Sequence, residues 1–468
     1  MTSSAETEAL FAGLRESAAP AVAGAIEALV RDAPDRDLCR VNALSFAGTH
    51  GLDPEQVIAG FLHATRLGLF ELAWNVLCPG CGGVLETGTS LKSVRRAEYA
   101  CQLCAAGYEP TLDEMVEVTF TVSAQVRRVA AHEPQTLPVG EYLRQVFFGS
   151  GVALPDDATF AQMFEEIVLD TLELAPHERA SMSLQLPPGF VIVFDPVVHL
   201  AQFIEVKGEP TRERRALTVV LEREPPAATP LAMAPGPLRI AFENATDTRS
   251  LPGVWFAGDA LHDLLARRRP FVTAKRLLTN QTFRDIYRTD TLAIDQRLKI
   301  TSLTFLFSDL KGSTELYDRV GDLVAYDLVR EHFRVMHEIA AAEAGVVIKT
   351  IGDAVMATFP SADRALAAAL RMREAIGDLH RELVLKIGIH EGPCLAVMLN
   401  ERQDYFGQTV NIASRVQGLA ESRAILATGQ VVGHADASRL LAARGITPLP
   451  RDQGLRGIAE RVPLFEIP

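Results

Sequence analysis

Three short segments in the last third of the chain carry side chains whose types and spacing fit a nucleotide site. They span residues 303–314, 349–353 and 404–415. Their charged and polar members are Asp309, Lys349, Asp353, Asp404, Asn411 and Arg415. Carboxylates offer oxygen ligands to hard divalent cations, whereas ammonium and guanidinium groups donate hydrogen bonds to bases and phosphates. We therefore expect the rest of the chain to position or control these segments.

The two earlier aspartates predict a metal site. Asp309 follows an apolar strand pattern, and Asp353 lies in a Gly-Asp turn between two further strand patterns. If these strands are neighbours, the two carboxylates converge on divalent cations, as a two-metal site requires. One ion would activate a hydroxyl nucleophile and the other would hold triphosphate oxygens. Gly312 would let the backbone approach a phosphate closely.

Alternating strand and helix patterns must position these residues. The patterns predict strands at 303–307, 346–351, 355–359 and 383–389, and helices at 316–342 and 362–379. The first strand is apolar on both faces, as a covered central strand requires. Residues 298–468 are therefore expected to form one α/β domain.

The three segments resemble the catalytic domain of class III nucleotidyl cyclases, and the resemblance covers roughly residues 300–468. It implies a ferredoxin-like α/β fold. It also implies that Asp309 and Asp353 bind two Mg or Mn ions per active site, assisted by the backbone of Leu310.

The same resemblance assigns roles to the later polar residues. Lys349 and Asp404 would recognise the purine, and Arg456 would touch the terminal phosphates. Asn411 and Arg415 lie four residues apart and hence on one helix face. In this family such residues orient the ribose and stabilise the charge of the transition state.

The base-reading pair favours ATP as substrate. A lysine that donates to a ring nitrogen and an aspartate that accepts from an exocyclic amine fit adenine, whereas guanine presents an oxygen there. The resemblance thus implies an adenylate cyclase that forms 3',5'-cyclic AMP and pyrophosphate. A guanylate cyclase, or a nucleotide-sensing cyclase-homology scaffold without turnover, remains the alternative.

In this family the active site forms between two catalytic domains. One domain supplies the metal aspartates, and the other supplies the lysine, aspartate, asparagine and arginine. This chain carries both sets. A head-to-tail homodimer with two equivalent sites is therefore the expectation.

Four cysteines predict a second metal site. Cys78 and Cys81 form one Cys-x-x-Cys pair, and Cys101 and Cys104 form another after nineteen intervening residues. This spacing is typical of two knuckles that share a tetrahedral zinc, and a closed shell of four thiolates would make that zinc structural. We expect one zinc per chain, with a redox dithiol as the alternative.

The residues before the catalytic domain are expected to form four further segments. These are a helical, winged-helix-like module (1–75), a zinc ribbon (76–115), a mixed region with an antiparallel β-sandwich (116–258) and a helical linker (259–297). The fold class is therefore multidomain α+β. We expect this region to regulate the cyclase through a ligand or protein that the sequence does not identify.

Charge and hydropathy exclude several classes of protein. The 468-residue chain has a formal net charge of -13, and residues 1–75 hold ten acidic and five basic side chains. This balance argues against a nucleic-acid-binding protein. The sequence predicts no membrane-spanning helix, and the N-terminus lacks a secretory pattern, so we expect a cytoplasmic protein.

Overall fold

A computed structural model gives the fold of the chain. It describes residues 4–222, 229–287, 292–293, 295–311, 320–379, 384–399, 402–421, 424–452, 454–455, 457–458 and 461–468. The chain forms two compact units. The first comprises Met1–Thr89, Ser93–Pro110 and Met115–Val272, and the second comprises Ser90–Lys92, Thr111–Glu114 and Thr273–Pro468. The predicted helical linker is thus divided between the units after Val272.

The first unit begins with four helices. They are α1 (Ser4–Ser17), α2 (Pro20–Asp32), α3 (Ala43–His50) and α4 (Pro54–Leu67). Helix α4 begins at Pro54, because the Asp53 carboxylate accepts the Gln56 N–H at 2.9 Å and the proline suits the first turn. It ends at Gly68, whose φ of +88° few other residues adopt.

An antiparallel sheet follows the helices. Its region of the chain contains β1 (Phe70–Leu77), β2 (Val84–Gly88), β3 (Tyr99–Cys101), β4 (Ala106–Tyr108) and β5 (Val116–Val122). Strand β1 pairs with β2 and β5, and β3 and β4 form a separate hairpin. The alternation of apolar and polar residues in β5 is typical of a half-buried strand, but Glu117 and Thr119 are also buried. Glu117 is tolerated there because it accepts hydrogen bonds from Asn75 Nδ2 and Ser150 Oγ.

Two further sheets of the first unit share one hydrophobic cluster. The elements are α5 (Val139–Tyr142), α6 (Asp157–Ile167), β6 (Val168–Thr171), β7 (Arg179–Leu186), β8 (Gly189–Asp195), β9 (Leu200–Val206), β10 (Arg215–Leu221), β11 (Leu231–Met233), β12 (Gly236–Asn244), β13 (Gly253–Phe256) and α7 (Asp259–Ala266). The sheet orders are β10-β12-β7 and β11-β9-β8-β13-β6.

The prediction of a purely antiparallel arrangement for these sheets is wrong. The β10–β12 and β11–β9 pairs are parallel. The chain leaves the smaller sheet after β10, adds β11 to the edge of the larger sheet, and returns as β12. This excursion lets β12 run in the same direction as β10, which a direct hairpin between them would not allow.

Strand β14 (Val272–Thr273) lies at the boundary where the chain passes from the first unit to the second, and the second unit continues with the catalytic fold that the sequence predicted. Its further elements are α8 (Ala274–Leu278), α9 (Gln281–Ile286), β15 (Leu298–Lys311), α10 (Asp322–Ala342), β16 (Val346–Ile351), β17 (Ala354–Phe359), α11 (Ala362–Leu379), β18 (Val384–Leu399), β19 (Arg402–Phe406), α12 (Gln408–Leu419), β20 (Ile425–Thr428), α13 (Gly429–Gly433), α14 (Ala435–Ala443), β21 (Leu449–Arg451) and β22 (Leu464–Ile467). The sheet order is β16-β17-β15-β18-β20-β22-β21, and β19 pairs with β18. Strands β15 to β18 with α10 and α11 form the βαββαβ pattern of a ferredoxin-like fold.

The two faces of this sheet carry different elements. Leu306 and Leu310 of β15 join a cluster with α10 and α11. Phe305 instead meets the ring of Tyr405 in β19, with centroids 5.7 Å apart. Because side chains alternate along a strand, Asp309 points to the same face as Phe305. Helix α12 (Gln408–Leu419) packs on β18 and β15. Its Ile412 and Val416 join a second cluster with Leu426 of β20 and Leu464 of β22, and this cluster contains no described residue of α10 or α11.

A loop from earlier in the sequence, residues 111–114, also belongs to the second unit. Leu112 N–H donates to the Lys299 carbonyl at 2.9 Å. The Asp113 carboxylate accepts the Thr301 N–H at 3.1 Å and the Ser302 N–H at 3.2 Å. These donors lie at an irregularity in the β15–β18 ladder between Ile300 and Leu303. Residues 111–114 thus stabilise a bulge in the strand that carries Asp309.

Within the described ranges, no helix combines the length and apolar character that crossing a membrane would demand.

Candidate active site

The structure brings together the two aspartates that the sequence placed in separate segments. Asp309 lies near the end of β15, and its backbone pairs with Lys386 of β18. Asp353 follows Gly352 in the two-residue turn between β16 and β17. Gly352 adopts a φ of +65°, and glycine at this position is typical of a type II′ hairpin turn. Since β17 pairs with β15, the turn places Asp353 at the end of the strand that carries Asp309.

The charges of the two carboxylates oppose each other. Burial raises the pKa of Asp309, and the Asp353 carboxylate raises it further. The Lys386 ammonium and a hydrogen bond from the Gln417 side chain act in the opposite direction. Asp353 Oδ2 is buried and has no hydrogen-bond partner among the residues that the structure describes. An orphaned carboxylate oxygen beside a second carboxylate fits a hard divalent cation, which would satisfy both groups.

Lys349 and Asp404 form an ion pair in this unit. Lys349 Nζ lies 2.5 Å from Asp404 Oδ2, and Asp404 Oδ1 accepts the Tyr405 N–H at 2.8 Å. The side chain of Asp404 is 11% exposed and that of Lys349 is 43% exposed. Both groups can therefore present hydrogen-bonding edges to a ligand while holding each other in place.

Asn411 and Arg415 share the exposed face of α12, whereas the intervening Ile412 is buried. The helix begins after Gly407, whose φ is +150°. Arg415 lies beside the backbone of Gly457, because a Cβ built on that glycine would be 3.3 Å from Arg415 Nη1. The structure thus confirms that these two side chains lie on one helix face.

Close backbone approach fixes α12 against the sheet. A Cβ built on Gly388 of β18 would lie 2.1 Å from the backbone nitrogen of Gln417 and 2.5 Å from its Cα. Only glycine fits at this crossing. The position of β18 therefore sets the position of the helix that carries Asn411 and Arg415.

Three other predicted site positions have different outcomes. Leu310 is buried in β15, and its backbone N–H contributes a hydrogen bond to the Asp309 carboxylate. Gly312 and Arg456 lie outside the described residues. Their predicted roles near the phosphates stay predictions.

Sequence reasoning missed two groups that act on Asp309, namely Lys386 and Gln417. Lys386 lies between the apolar Leu385 and Ile387 in a central strand. This charged residue within an apolar pattern was the signal from which it could have been found. Gln417 gave no comparable signal, because its contact depends on how closely α12 approaches β18.

The four cysteines of the first unit converge. Their sulfur atoms all lie within 4.8 Å of one another. Cys78 Sγ is 3.6 Å from Cys104 Sγ, and Cys81 Sγ is 3.7 Å from Cys101 Sγ. A tetrahedral zinc with Zn–S bonds of about 2.3 Å places its sulfurs about 3.8 Å apart. The cluster could therefore hold a metal ion of this kind.

Two family models match the chain in tandem. The model described as "Family of unknown function (DUF5939)" matches residues 4–285. The model described as "Adenylate and Guanylate cyclase catalytic domain" matches residues 296–452. The second match contains Asp309, Lys349, Asp353, Asp404 and the exposed face of α12.

Individual relatives match about a quarter to a third of the chain. An adenylate cyclase of Streptomyces griseus is 33% identical over 135 residues, which cover 28% of this chain and 33% of the relative. Guanylate cyclase 32E of Drosophila melanogaster is 30% identical over 140 residues, covering 26% of this chain and 12% of the relative. The chain thus spans about a third or less of the length of these curated relatives. The adenylyl cyclase CyaB from P. aeruginosa is a solved structure with 26% identity and a TM-score of 0.33, covering 37% of this chain and 96% of that chain.

The first family model covers more than half of the chain, and the second covers the ferredoxin-like fold together with the two carboxylates and the ion pair. The chain belongs to the family of unknown function DUF5939, and its C-terminal unit carries the catalytic domain of adenylate and guanylate cyclases.

Proposed function

We propose that this protein is an adenylate cyclase that converts ATP to 3',5'-cyclic AMP and pyrophosphate at the interface of a homodimer. The observation that carries the proposal is the Asp309–Asp353 pair with its orphaned oxygen, in a domain that also holds the Lys349–Asp404 pair. A nucleotide-sensing scaffold without turnover would not need an unbalanced carboxylate pair at this position.

In this proposal the site residues bind the metal ions, orient the ribose or donate hydrogen bonds to the phosphates. Asp309 and Asp353 would hold two Mg or Mn ions, with help from the backbone of Leu310. When bound, these ions would activate the ribose 3'-hydroxyl and neutralise charge on the triphosphate. Asn411 orients the ribose, and the Arg415 guanidinium donates hydrogen bonds to the phosphate oxygens where charge develops.

The Lys349–Asp404 pair supports ATP over GTP. The Lys349 ammonium has donors left for a purine ring nitrogen, and the Asp404 carboxylate can accept from the adenine amine. Guanine would present an oxygen to this nearly buried carboxylate and leave two acceptors facing each other. Such a mismatch typically reduces binding by one to two orders of magnitude, or about 1–3 kcal/mol.

The first experiment measures product identity. Purified full-length protein with Mn and either ATP or GTP is incubated, and cyclic AMP and cyclic GMP are quantified by chromatography. Cyclic AMP should be the main product, and a lack of any cyclic nucleotide would refute the enzyme proposal. The double variant Lys349→Glu with Asp404→Cys should lose the preference for ATP, and an unchanged preference would contradict the assignment of this pair.

The second experiment tests shared sites. An Asp309→Ala chain mixed equally with an Arg415→Ala chain should recover about a quarter of wild-type activity, because half of the random dimers then contain one intact site of two. The matched control mixes Asp309→Ala with Asp353→Ala, which damage the same half-site and should give no recovery. Equal activity in the two mixtures would argue against a site formed by two chains.

We further propose that the cysteine cluster holds one structural zinc per chain and that residues 1–285 regulate the cyclase. The sulfur spacing supports the zinc, and the tandem family matches support a regulatory region joined to a catalytic one. The activating ligand or protein is not assigned.

A further inference from the structure

Arg284 of helix α9 contacts the two strands that carry Lys349 and Asp404. Arg284 Nη2 donates to the Ile348 carbonyl at 2.8 Å and to the Gln403 carbonyl at 3.3 Å. Ile348 directly precedes Lys349, and Gln403 directly precedes Asp404. A single guanidinium therefore joins the two backbone positions next to the base-reading pair.

Sheet hydrogen bonds do not provide this connection. In the described part of the sheet, β16 pairs with β17 while β19 pairs with β18. The relative position of Lys349 and Asp404 thus depends on side-chain contacts across the sheet face. A planar guanidinium with several donors is suited to this task, because it can hold two carbonyls at a fixed separation.

The surroundings of Arg284 keep it in place. Asn280 Oδ1 accepts the Phe283 N–H at 3.0 Å and caps the short helix that carries Arg284. Burial lowers the pKa of Arg284, and the nearby Tyr405 and Asp404 side chains oppose this shift. The arginine also lines a cavity of about 290 Å³ beside α9, and its buried Nη1 has no hydrogen-bond partner within the described part of the chain. Arg284 is thus held by the two carbonyls and by the charge of Asp404.

We propose that Arg284 is a positioning residue that sets the separation of Lys349 and Asp404 and so controls affinity and selectivity for the purine. The inference rests on the proposed cyclase function. Arg284 lies before the residues matched by the cyclase model and inside those matched by the family of unknown function. The segment that precedes the catalytic domain therefore contributes directly to recognition of the base, and a shift of α9 changes that recognition.

The test separates substrate recognition from turnover. Arg284→Met in the full-length chain removes both donations, and we expect KM for ATP to rise about tenfold or more, as the loss of such charged hydrogen bonds implies. The value of kcat should change less than about threefold, because Asp309, Asp353, Asn411 and Arg415 are untouched. The preference for ATP over GTP should fall. Arg284→Lys keeps the charge but not the planar fork, so its effects should be intermediate.

Two controls identify a merely structural effect. Arg334→Met removes an exposed arginine of α10 that pairs with Glu331 and Glu338, and it should leave KM and selectivity unchanged. Val431→Ala opens a cavity in the core of the same unit and lowers stability without touching α9. If Arg284→Met only reproduces the effects of Val431→Ala, or keeps wild-type KM and selectivity, the inference is wrong.

A binding measurement distinguishes failure of this inference from failure of the proposed function. Fluorescent ATP and GTP analogues are titrated into wild type and variants, which reports base recognition without turnover. A wild-type chain that neither binds nor cyclises nucleotides refutes the proposed function. A wild-type chain that does both, with Arg284 variants that bind both analogues like wild type, refutes only the role of Arg284.

Discussion

The Gly388→Ala substitution tests whether the sheet fixes the helix that carries Asn411 and Arg415. The new Cβ would lie 2.1 Å from the Gln417 backbone nitrogen, whereas ordinary contacts begin at 3.4 Å. Because the obstacle is backbone and not a flexible side chain, α12 must retreat by about 1 Å. A misplacement of that size reduces catalysis about 100-fold when it affects positioning groups. Overpacking should also reduce the free energy of unfolding by about 1–3 kcal/mol.

The assay compares initial rates of cyclic AMP formation and thermal midpoints for the full-length variant and wild type. Gly418→Ala is the matched control, since it lies on the same helix and its added Cβ meets nothing within 4 Å. Helical glycine to alanine changes stabilise by about 0.5–1 kcal/mol, so this control should retain activity and melt slightly higher. If Gly388→Ala keeps its rate within about threefold of wild type, the proposed coupling between β18 and α12 is refuted.

Three further predictions concern charge and metal. Burial raises the pKa of Asp195 to about 6, above its unfolded value of about 3.9, so the protonated form favours the folded state. The free energy of unfolding of the first unit should therefore fall by about 2 kcal/mol between pH 4 and pH 7 in urea titrations. Asp195→Asn should remove this slope, and the exposed Asp170→Asn should not. Cys101→Ser should reduce zinc from about one per chain to nearly none by elemental analysis, whereas Cys39→Ser should retain it. Asp353→Asn should raise the melting temperature of the metal-free protein, because it relieves the repulsion between this side chain and Asp309. Mn at 100 times its Kd should stabilise the wild type by about 2.7 kcal/mol, and the variant should lose this stabilisation.

Local periodicity was sufficient to predict most elements of the catalytic domain. Helix α11 has the predicted bounds, and the predicted hairpin around Asp353 is confirmed to within one residue. Strand β18 was predicted too short, because Pro393 normally ends a strand. The strand continues to Leu399 since Pro393 lies opposite the bulge in β15, where its missing N–H removes no ladder hydrogen bond. The bulge is invisible in the sequence of β18.

Contacts between distant segments explain what the sequence could not predict. The parallel pairs of the first unit arise because β11 joins a different sheet from its neighbours, and no local pattern records that choice. Arg284 was placed in a helical linker on sequence grounds, and its role depends on two carbonyls 64 and 119 residues away. The proximity of Asp309 and Asp353 was easier to predict, because each residue follows a clear strand pattern and the strands that carry them are neighbours in the sheet.

The discontinuous second unit has a consequence for how the chain folds. Asp113 and Thr301 are separated by 188 residues, and forming their contact closes a loop that includes residues 115–272 of the first unit. Such long-range contacts form late and slow folding, because the entropy of loop closure is lost before the contact stabilises the product. During synthesis the 111–114 loop leaves the ribosome long before β15 exists, so this part of the second unit must wait for the strand that it contacts. A fragment of residues 290–468 would lack both this loop and Arg284, and low activity in that fragment would reflect an incomplete catalytic unit and not the loss of an activator.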